Sequence, residues 1–162
     1  MGLIRRNTGY GLRALIFMAR HEAEKARMAD GTEARARTAD GAEAEAFTAE
    51  QLADAADTTA DFMHKILQAL RDAGIVASKR GPGGGFRLAR DPAEVTLLEI
   101  VNTVQGELHV NRCVIGLDVC ERSAECPLRP TWMRIQRELE EGLGGTTLAD
   151  VVGASGCQVE CK

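Results

Sequence analysis

The chain has 162 residues, of which 44% are hydrophobic and 27% are charged, a balance that indicates one folded domain with at most an appendage. Its apolar runs are only a few residues long, far below the ~20 residues of a membrane-spanning helix, and no secretory signal is evident at the start. We therefore expect a cytoplasmic protein with no membrane partner. The sequence shows no nucleophile–base pair and no substrate motif, which argues against an enzyme and against a small-molecule substrate.

The formal net charge of −4 conceals an uneven distribution. Residues 59–90 carry six basic and two acidic side chains, a balance of +4, whereas residues 91–162 carry six basic and twelve acidic ones, a balance of −6. Attraction to phosphate is local because charges are screened beyond ~8 Å at physiological salt. The central segment is therefore a candidate for nucleic-acid binding, with an ordinary solvated face as the alternative.

The first predicted element is a helix over residues 3 to about 24, whose apolar residues recur at helical spacing: Leu12, Leu15, Ile16 and Ala19. Residues 27–36 are nearly repeated by residues 37–46, a ten-residue tandem duplication in which Met28 is the one bulky apolar residue. Such a segment buries little surface, so residues 24–46 are predicted to form a mobile loop or a frayed helix inserted at the surface.

Two short helices joined by a tight turn follow. The first is predicted over residues 48–56, capped by Thr48 with Gln51 in capping-box spacing, and its inward residues are Leu52, Ala55 and Ala56. The second is predicted from Thr58 or Thr59 to about Ala73, with Gly74 ending it. Its predicted buried stripe consists of Phe62, Ile66, Ala69, Leu70 and Ala73. Its predicted outward face consists of Asp61, His64, Lys65, Gln68, Arg71 and Asp72.

A glycine-rich hairpin comes next, with strands predicted at residues 75–80 and 86–89 around the Gly81-Pro82-Gly83-Gly84-Gly85 turn. The turn is not a phosphate loop, because no Gly-Lys-Ser/Thr follows and the next element is a strand. The order of elements predicts a mainly α fold with a small β-hairpin wing, a winged helix-turn-helix. A helix fits the ~12 Å major groove, and a small tip carrying Arg80 suits the ~6 Å minor groove. The predicted DNA-binding residues are Thr59, Asp61, His64, Lys65, Gln68, Arg80, Gly81, Pro82 and Gly83.

The C-terminal part is predicted to contain three more helices. One begins at Thr96 and ends at Gly106, and its inward residues are Leu97, Leu98, Ile100, Val101 and Val104. After a loop over residues 107–130, a long helix spans residues 131–142, and a short one is predicted at residues 147–152. An apolar seam on the long helix consists of Trp132, Ile135, Leu139 and Leu143.

All five cysteines follow residue 112: Cys113, Cys120, Cys126, Cys157 and Cys161. Their odd number argues against a disulfide framework, and the absence of a Cys-x-x-Cys pair makes structural zinc less favoured. The first three, spaced C-x6-C-x5-C, can converge on one soft metal centre, and thiolates are the usual ligands of iron–sulfur clusters. Incidental cysteines remain the alternative on spacing alone.

Residues 70–89, with the Arg80-Gly81-Pro82-Gly83-Gly84-Gly85 wing, resemble the winged-helix regulators related to IscR, NsrR and RirA, and residues 6–15 resemble their first helix. The resemblance implies a homodimeric bacterial transcription regulator that binds an inverted-repeat operator in double-stranded DNA. It implies that the second helix reads the operator and that the wing enters the minor groove. It also implies an iron–sulfur cluster, 2Fe-2S or 4Fe-4S, ligated by Cys113, Cys120 and Cys126.

The fourth cluster ligand departs from the patterns of these relatives. Some have His three residues after the third cysteine, where this chain has Arg129, and others use an acid near the partner's N-terminus, where Gly9 aligns. The remaining candidates are His109, Asn7, Asp118, a tail cysteine or an external thiol.

The resulting division places the winged helix-turn-helix at residues 1–92, the cluster loop and dimerisation helix at 93–152, and a tail at 153–162. Two alternatives stay open: a cluster-free thiol-redox DNA-binding regulator, and a small iron–sulfur electron carrier.

Overall fold

The computed structural model describes residues 3–28, 45–81, 83–116 and 125–154. Within these ranges it contains α1 (Arg6–Met28), α2 (Ala49–Ala56), α3 (Ala60–Asp72), β1 (Val76–Lys79), β2 (Gly85–Leu88), α4 (Leu97–Gln105), α5 (Arg129–Gly144) and α6 (Leu148–Gly153). Short 3-10 turns lie at Pro92–Glu94 and Arg112–Val114. The predicted fold class, mainly α with a small antiparallel β-hairpin, is confirmed.

Helix α1 extends past its predicted end into the duplicated segment. Ala14, Leu15, Met18 and Ala19 are buried along one face, while Leu12 and Ile16 are half-buried. Lys25 and Arg27 in the last turn favour the extension, because cations are stabilising near the negative end of a helix dipole. The prediction for the rest of the duplication, residues 29–44, lies outside the described residues.

Helix α2 has the predicted capping box. The Gln51 backbone N–H donates to Thr48 Oγ1 at 3.3 Å, and the Thr48 N–H donates to Gln51 Oε1 at 2.8 Å. The inward assignment of Ala55 is wrong, since Ala55 is exposed and Ala53 is buried beside Leu52. The buried positions 49, 52, 53 and 56 follow the i, i+3, i+4, i+7 pattern, which excludes position 55.

The predicted buried stripe of α3 is partly wrong. Its buried side chains are Met63, Ile66, Leu67 and Leu70. Phe62 is 39% exposed, Ala73 is exposed and Ala69 is half-buried. Ile66 and Leu70 belong to both stripes, and the burial of Met63 and Leu67 beside them turns the apolar face by less than one residue step of ~100°. Gly74 ends the helix as predicted, with a positive φ of 72°.

The hairpin pairs Val76 with Leu88 and Lys79 with Gly85. Phe47, which directly precedes the cap of α2, adds an isolated antiparallel bridge to β2: its N–H and carbonyl exchange 2.8 Å hydrogen bonds with Phe86. The hairpin therefore has three extended segments at its base.

The core is continuous from α1 to α6. Val95, Ile100 and Leu148 are fully buried in the same cluster as the apolar side chains of α1, α2 and α3. The chain between α5 and α6 runs back across the start of α4, where the Leu97 N–H donates to the Thr146 carbonyl and the Leu148 N–H to the Val95 carbonyl. Helix α5 begins two residues before and ends two residues after the predicted bounds. In the described ranges, no helix is long and apolar enough to cross a membrane.

Candidate nucleic-acid interface

The outward face of α3 is polar and open to solvent, as predicted. Asp61, His64, Lys65 and Gln68 are all exposed, and exposed Thr59 occupies the N-cap position. Further along the same face, Arg71 donates to Asp72 at 2.8 Å, so these two charges neutralise each other. The free part of the face is therefore its first two turns.

The wing turn depends on glycine at several positions. Gly81 and Gly83 have φ values of 100° and 71°, and the Gly84 N–H donates to the Gly81 carbonyl at 2.8 Å. A Cβ at Gly84 would lie 2.3 Å from the Lys79 carbonyl oxygen, so no other residue fits there without movement. The turn leaves Arg80, Gly81 and Gly83 exposed, whereas Pro82 lies outside the described residues.

A series of ring contacts fixes the wing relative to α3 and α1. The His64 ring packs edge-on against Phe86 of β2, with ring centroids 5.6 Å apart. Phe47 bridges Phe86 through its backbone and contacts the rings of Phe17 and His21 at 5.3 and 5.2 Å. The local sequence marks Phe47 as a lone aromatic residue immediately before a helix cap.

Phe62, predicted to lie in the core, stands instead at the edge of the exposed α3 face. The Tyr10 ring of α1 packs against it perpendicularly, with centroids 6.0 Å apart. The Arg13 guanidinium lies 5.7 Å from the centre of the Tyr10 ring and donates to the Ala56 carbonyl at 2.8 Å. Side chains from α1 and α3 and a carbonyl of α2 thus form one connected cluster here.

Ion pairing neutralises some of the basic side chains of this region and leaves others free. Arg71 pairs with Asp72, and Arg90 donates to Glu99 at 2.6 Å. Among the described residues, exposed Lys65, Lys79 and Arg80 form no ion pair. These three cations are therefore available to an external anion.

Glu22 carries the one raised carboxyl pKa resolved in the described part of the chain. Burial raises the pKa of Glu22, and the nearby positive charge of Arg87 partly offsets this effect. Because Glu22 belongs to α1 and Arg87 to β2, this electrostatic interaction connects α1 with the wing.

A buried glutamine on α5 holds the segment that leads into the cysteine loop. Gln136 Nε2 donates to the Leu108 carbonyl at 2.6 Å, and Gln136 Oε1 accepts from the Val110 N–H at 2.9 Å. Gln136 Nε2 also donates to Glu140 Oε1 at 2.6 Å. Gln136 is only 6% exposed, and the apolar periodicity of α5 contained no signal for it.

The cysteine loop meets α5 at two places. Cys113 lies in the 3-10 turn Arg112–Val114, which packs against α5, and half-buried Cys126 precedes the first turn of α5 with a free thiol. Cys120 lies outside the described residues, as do Asp118, Cys157 and Cys161. Among the described side chains, no three His, Cys, Asp or Glu converge on a possible metal position. The donor set itself, three thiols in one loop, is chemically suited to iron–sulfur ligation.

Two candidate fourth ligands have other contacts. His109 Nε2 lies 3.3 Å from Glu107 Oε2, and the Asn7 side chain donates to the Val104 carbonyl at 3.2 Å.

The seam of α5 is incompletely covered. Trp132, Ile135, Leu139 and Leu143 are all half-buried, and Met133 on the same helix is 37% exposed. Leu128 before the helix and Ile115 after the 3-10 turn are 61% and 52% exposed.

The open polar helix, the glycine wing and the cations beside them define a winged helix-turn-helix transcription regulator. Residues 25–154 match the Rrf2 family, whose description reads "Iron-dependent Transcriptional regulator", and the chain belongs to this family. The resemblance stated from the sequence is thus confirmed, and the family consists of regulators rather than enzymes.

One sequence relative is ORF2 of Azotobacter vinelandii, a protein described as an HTH-type transcriptional regulator. The chain is 31% identical to it over 110 residues, and the match covers 66% of each chain. It is 29% identical over 104 residues to the HTH-type transcriptional regulator IscR of Serratia proteamaculans, covering 62% of this chain and 63% of that one. The matched part thus spans about two thirds of the length of these relatives.

Solved structures share the fold. CymR, the global cysteine regulator of B. subtilis, superposes with a TM-score of 0.68 at 24% identity, covering 94% of this chain and 98% of that one. IscR of T. potens superposes with a TM-score of 0.64 at 21% identity, covering 93% and 85%.

Proposed function

We propose that this protein is a homodimeric transcription regulator that binds an inverted-repeat operator and senses redox state, nitric oxide or iron status through a Cys-ligated iron–sulfur cluster. The observation that carries the proposal is the exposed polar face of α3 beside a glycine wing with unpaired cations. In this proposal, α3 lies in the major groove and the wing reaches the adjacent minor groove.

The residues of the interface have separable roles. Lys65 and Arg80 are available to phosphates, and contacts of that kind give affinity without sequence preference. His64 and Gln68 point outward from the reading helix and are candidates for base edges, together with Asp61 and Thr59. The packing of His64 on Phe86 ties the orientation of this side chain to the wing.

The dimer interface is proposed to be the seam of α5. A helix of 16 residues is ~24 Å long, and the half-buried Trp132, Ile135 and Leu139 run along it. A second copy packed on this seam would cover these side chains. The two copies of α3 would then lie about one DNA turn apart, ~34 Å.

The cluster is proposed to be held by Cys113, Cys120 and Cys126, with the fourth ligand open and His109 one candidate. When bound, it would supply iron–thiolate bonds that oxidants or nitric oxide can break. Gln136 ties the incoming side of the loop to α5, and Cys126 joins the outgoing side to the start of α5. A change in the loop would therefore act on the proposed dimer helix. Switching the operator from almost fully bound to almost fully free requires the two states of the protein to differ by ~5.5 kcal/mol in their affinity for DNA.

A second candidate is a regulator whose thiols act without a cluster. The half-buried free thiol of Cys126 favours it, because a partly accessible cysteine can be oxidised directly. The electron-carrier alternative is disfavoured, since the family consists of transcription regulators.

The test is anaerobic purification with absorption spectroscopy and analysis of iron and sulfide. The proposal predicts a coloured protein with both elements, and Cys120→Ala should abolish the chromophore. Colourless wild-type protein that still binds a selected duplex would support the thiol regulator. Sequence-specific binding that survives Lys65→Ala and Arg80→Ala unchanged would remove the proposed interface.

A further inference from the structure

We propose that Phe62 is a specificity-determining residue that contacts the 5-methyl group of a thymine in the operator, an inference that rests on the proposed DNA-binding function. Phe62 is 39% exposed, whereas Phe47 and Phe86 are buried and Phe17 is half-buried. It lies next to Asp61 in the first turn of α3, the part of a reading helix that meets base edges. A large aromatic ring left open among polar residues is suited to an apolar contact.

The Phe62 ring is held in place before any contact forms. Tyr10 of α1 packs against it with perpendicular rings and centroids 6.0 Å apart. Arg13 lies over the Tyr10 ring and is itself anchored to the Ala56 carbonyl at the end of α2. Because this cluster joins three helices, Phe62 loses little freedom on binding, and a small apolar contact can still favour one sequence over another.

Thymine is the base that supplies a matching group. The base edges in the major groove present hydrogen-bond donors and acceptors, and the 5-methyl group of thymine is the apolar feature among them. Side chains of the kind found beside Phe62, such as Asp61 and Lys65, suit polar edges and phosphates instead. The edge of α3 at Phe62 therefore fits a thymine methyl next to a polar contact.

The test removes that one methyl group. Duplexes are first selected from a random pool with the wild-type protein, and each thymine of one half-site is then replaced by deoxyuridine. At one position the wild type should bind about fourfold more weakly, the value of one buried methyl group. Phe62→Ala should bind the thymine and deoxyuridine duplexes equally, while the control Leu3→Ala, which truncates another exposed apolar side chain, should retain the fourfold difference.

Phe62→Gln provides a second variant, because it removes the apolar edge but keeps bulk beside Tyr10, and it should lose the difference as well. If no deoxyuridine weakens wild-type binding, or if both Phe62 variants retain the fourfold difference, the inference is overturned while the proposed function stands. Loss of the dimer in both Phe62 variants, with the fourfold difference intact, would assign Phe62 to a protein contact instead. If the wild type enriches no sequence, the proposed function and this inference fail together.

Discussion

Gln136→Met tests whether the hydrogen bonds of α5 to the cysteine loop stabilise the protein. Methionine is close to glutamine in size but cannot pair with the Leu108 carbonyl or the Val110 N–H, which Gln136 contacts at 2.6 and 2.9 Å. An unpaired buried polar group costs about 1–3 kcal/mol. Leu108 is 4% exposed and Val110 is half-buried, so water can reach part of the site, and we expect a loss of about 2 kcal/mol in the free energy of unfolding.

Urea unfolding of the two proteins measures this difference, with Gln68→Met as the control because it makes the same chemical change on an exposed face. The control should change stability by less than about 0.5 kcal/mol. If the loop segment opens locally, the Val110 amide should also exchange about thirtyfold faster in Gln136→Met, the equivalent of the same 2 kcal/mol.

A second substitution separates hydrogen bonding from packing. Gln136→Glu keeps an acceptor for the Val110 N–H but faces the Leu108 carbonyl and the Glu140 carboxylate with another negative oxygen. The loss of stability relative to wild type should therefore be larger at pH 7 than at pH 4. Equal stability of Gln136→Met and Gln68→Met, together with no pH effect in Gln136→Glu, would refute the anchoring role of Gln136.

Three further predictions concern the wing and its surroundings. Gly85→Ala should destabilise the protein by about 2–4 kcal/mol, because φ is 155° and a Cβ would lie 2.5 Å from the Phe47 carbonyl oxygen. Thermal unfolding checks this. Gly9→Ala is the control and should not destabilise, because the added Cβ would meet no atom within 4 Å apart from its chain neighbours and the backbone of its own helix. Glu22→Gln should stabilise the protein at pH 7, and the gain should shrink as pH falls. The reason is that the pKa of Glu22 is raised in the folded state, so wild type loses stability as pH rises through that pKa. A gain in the free energy of unfolding that is the same at pH 3 and pH 7 would contradict this. Lys65→Ala and Arg80→Ala should each lower the slope of log affinity against log salt by about two, because the proposed dimer loses one phosphate contact in each protomer. His64→Ala should cost about 1–3 kcal/mol at the selected site and little on random DNA. Equal losses for His64→Ala on both duplexes would indicate a phosphate contact.

Local signals were sufficient to predict most of the fold. Thr48 and Gln51 form their capping box from residues three apart, and Gly74 ends α3 because its own backbone adopts a positive φ. The polar face of α3 was predictable for the same reason, since helical periodicity alone separates His64 and Lys65 from the core.

The errors and omissions arise where tertiary contacts decide. Apolar character alone predicts that Phe62 lies in the core, yet Met63 and Leu67 fill the space between α3 and its neighbours and leave Phe62 at the edge. Gln136 is polar in sequence but buried in the fold, because it pairs with a backbone segment 26 to 28 residues away. Phe47 pairs with β2 across 39 residues, a contact that no local pattern encodes.

In the proposed mechanism, the state of the cysteine loop sets the affinity for DNA. The most direct measurement is the affinity of anaerobically purified protein for its selected duplex, before and after a chelator removes the iron in the absence of oxygen. We expect iron and sulfide in the starting protein and a change in affinity of at least tenfold, approaching the ~10⁴-fold of a complete switch. Identical affinities before and after iron removal would contradict it.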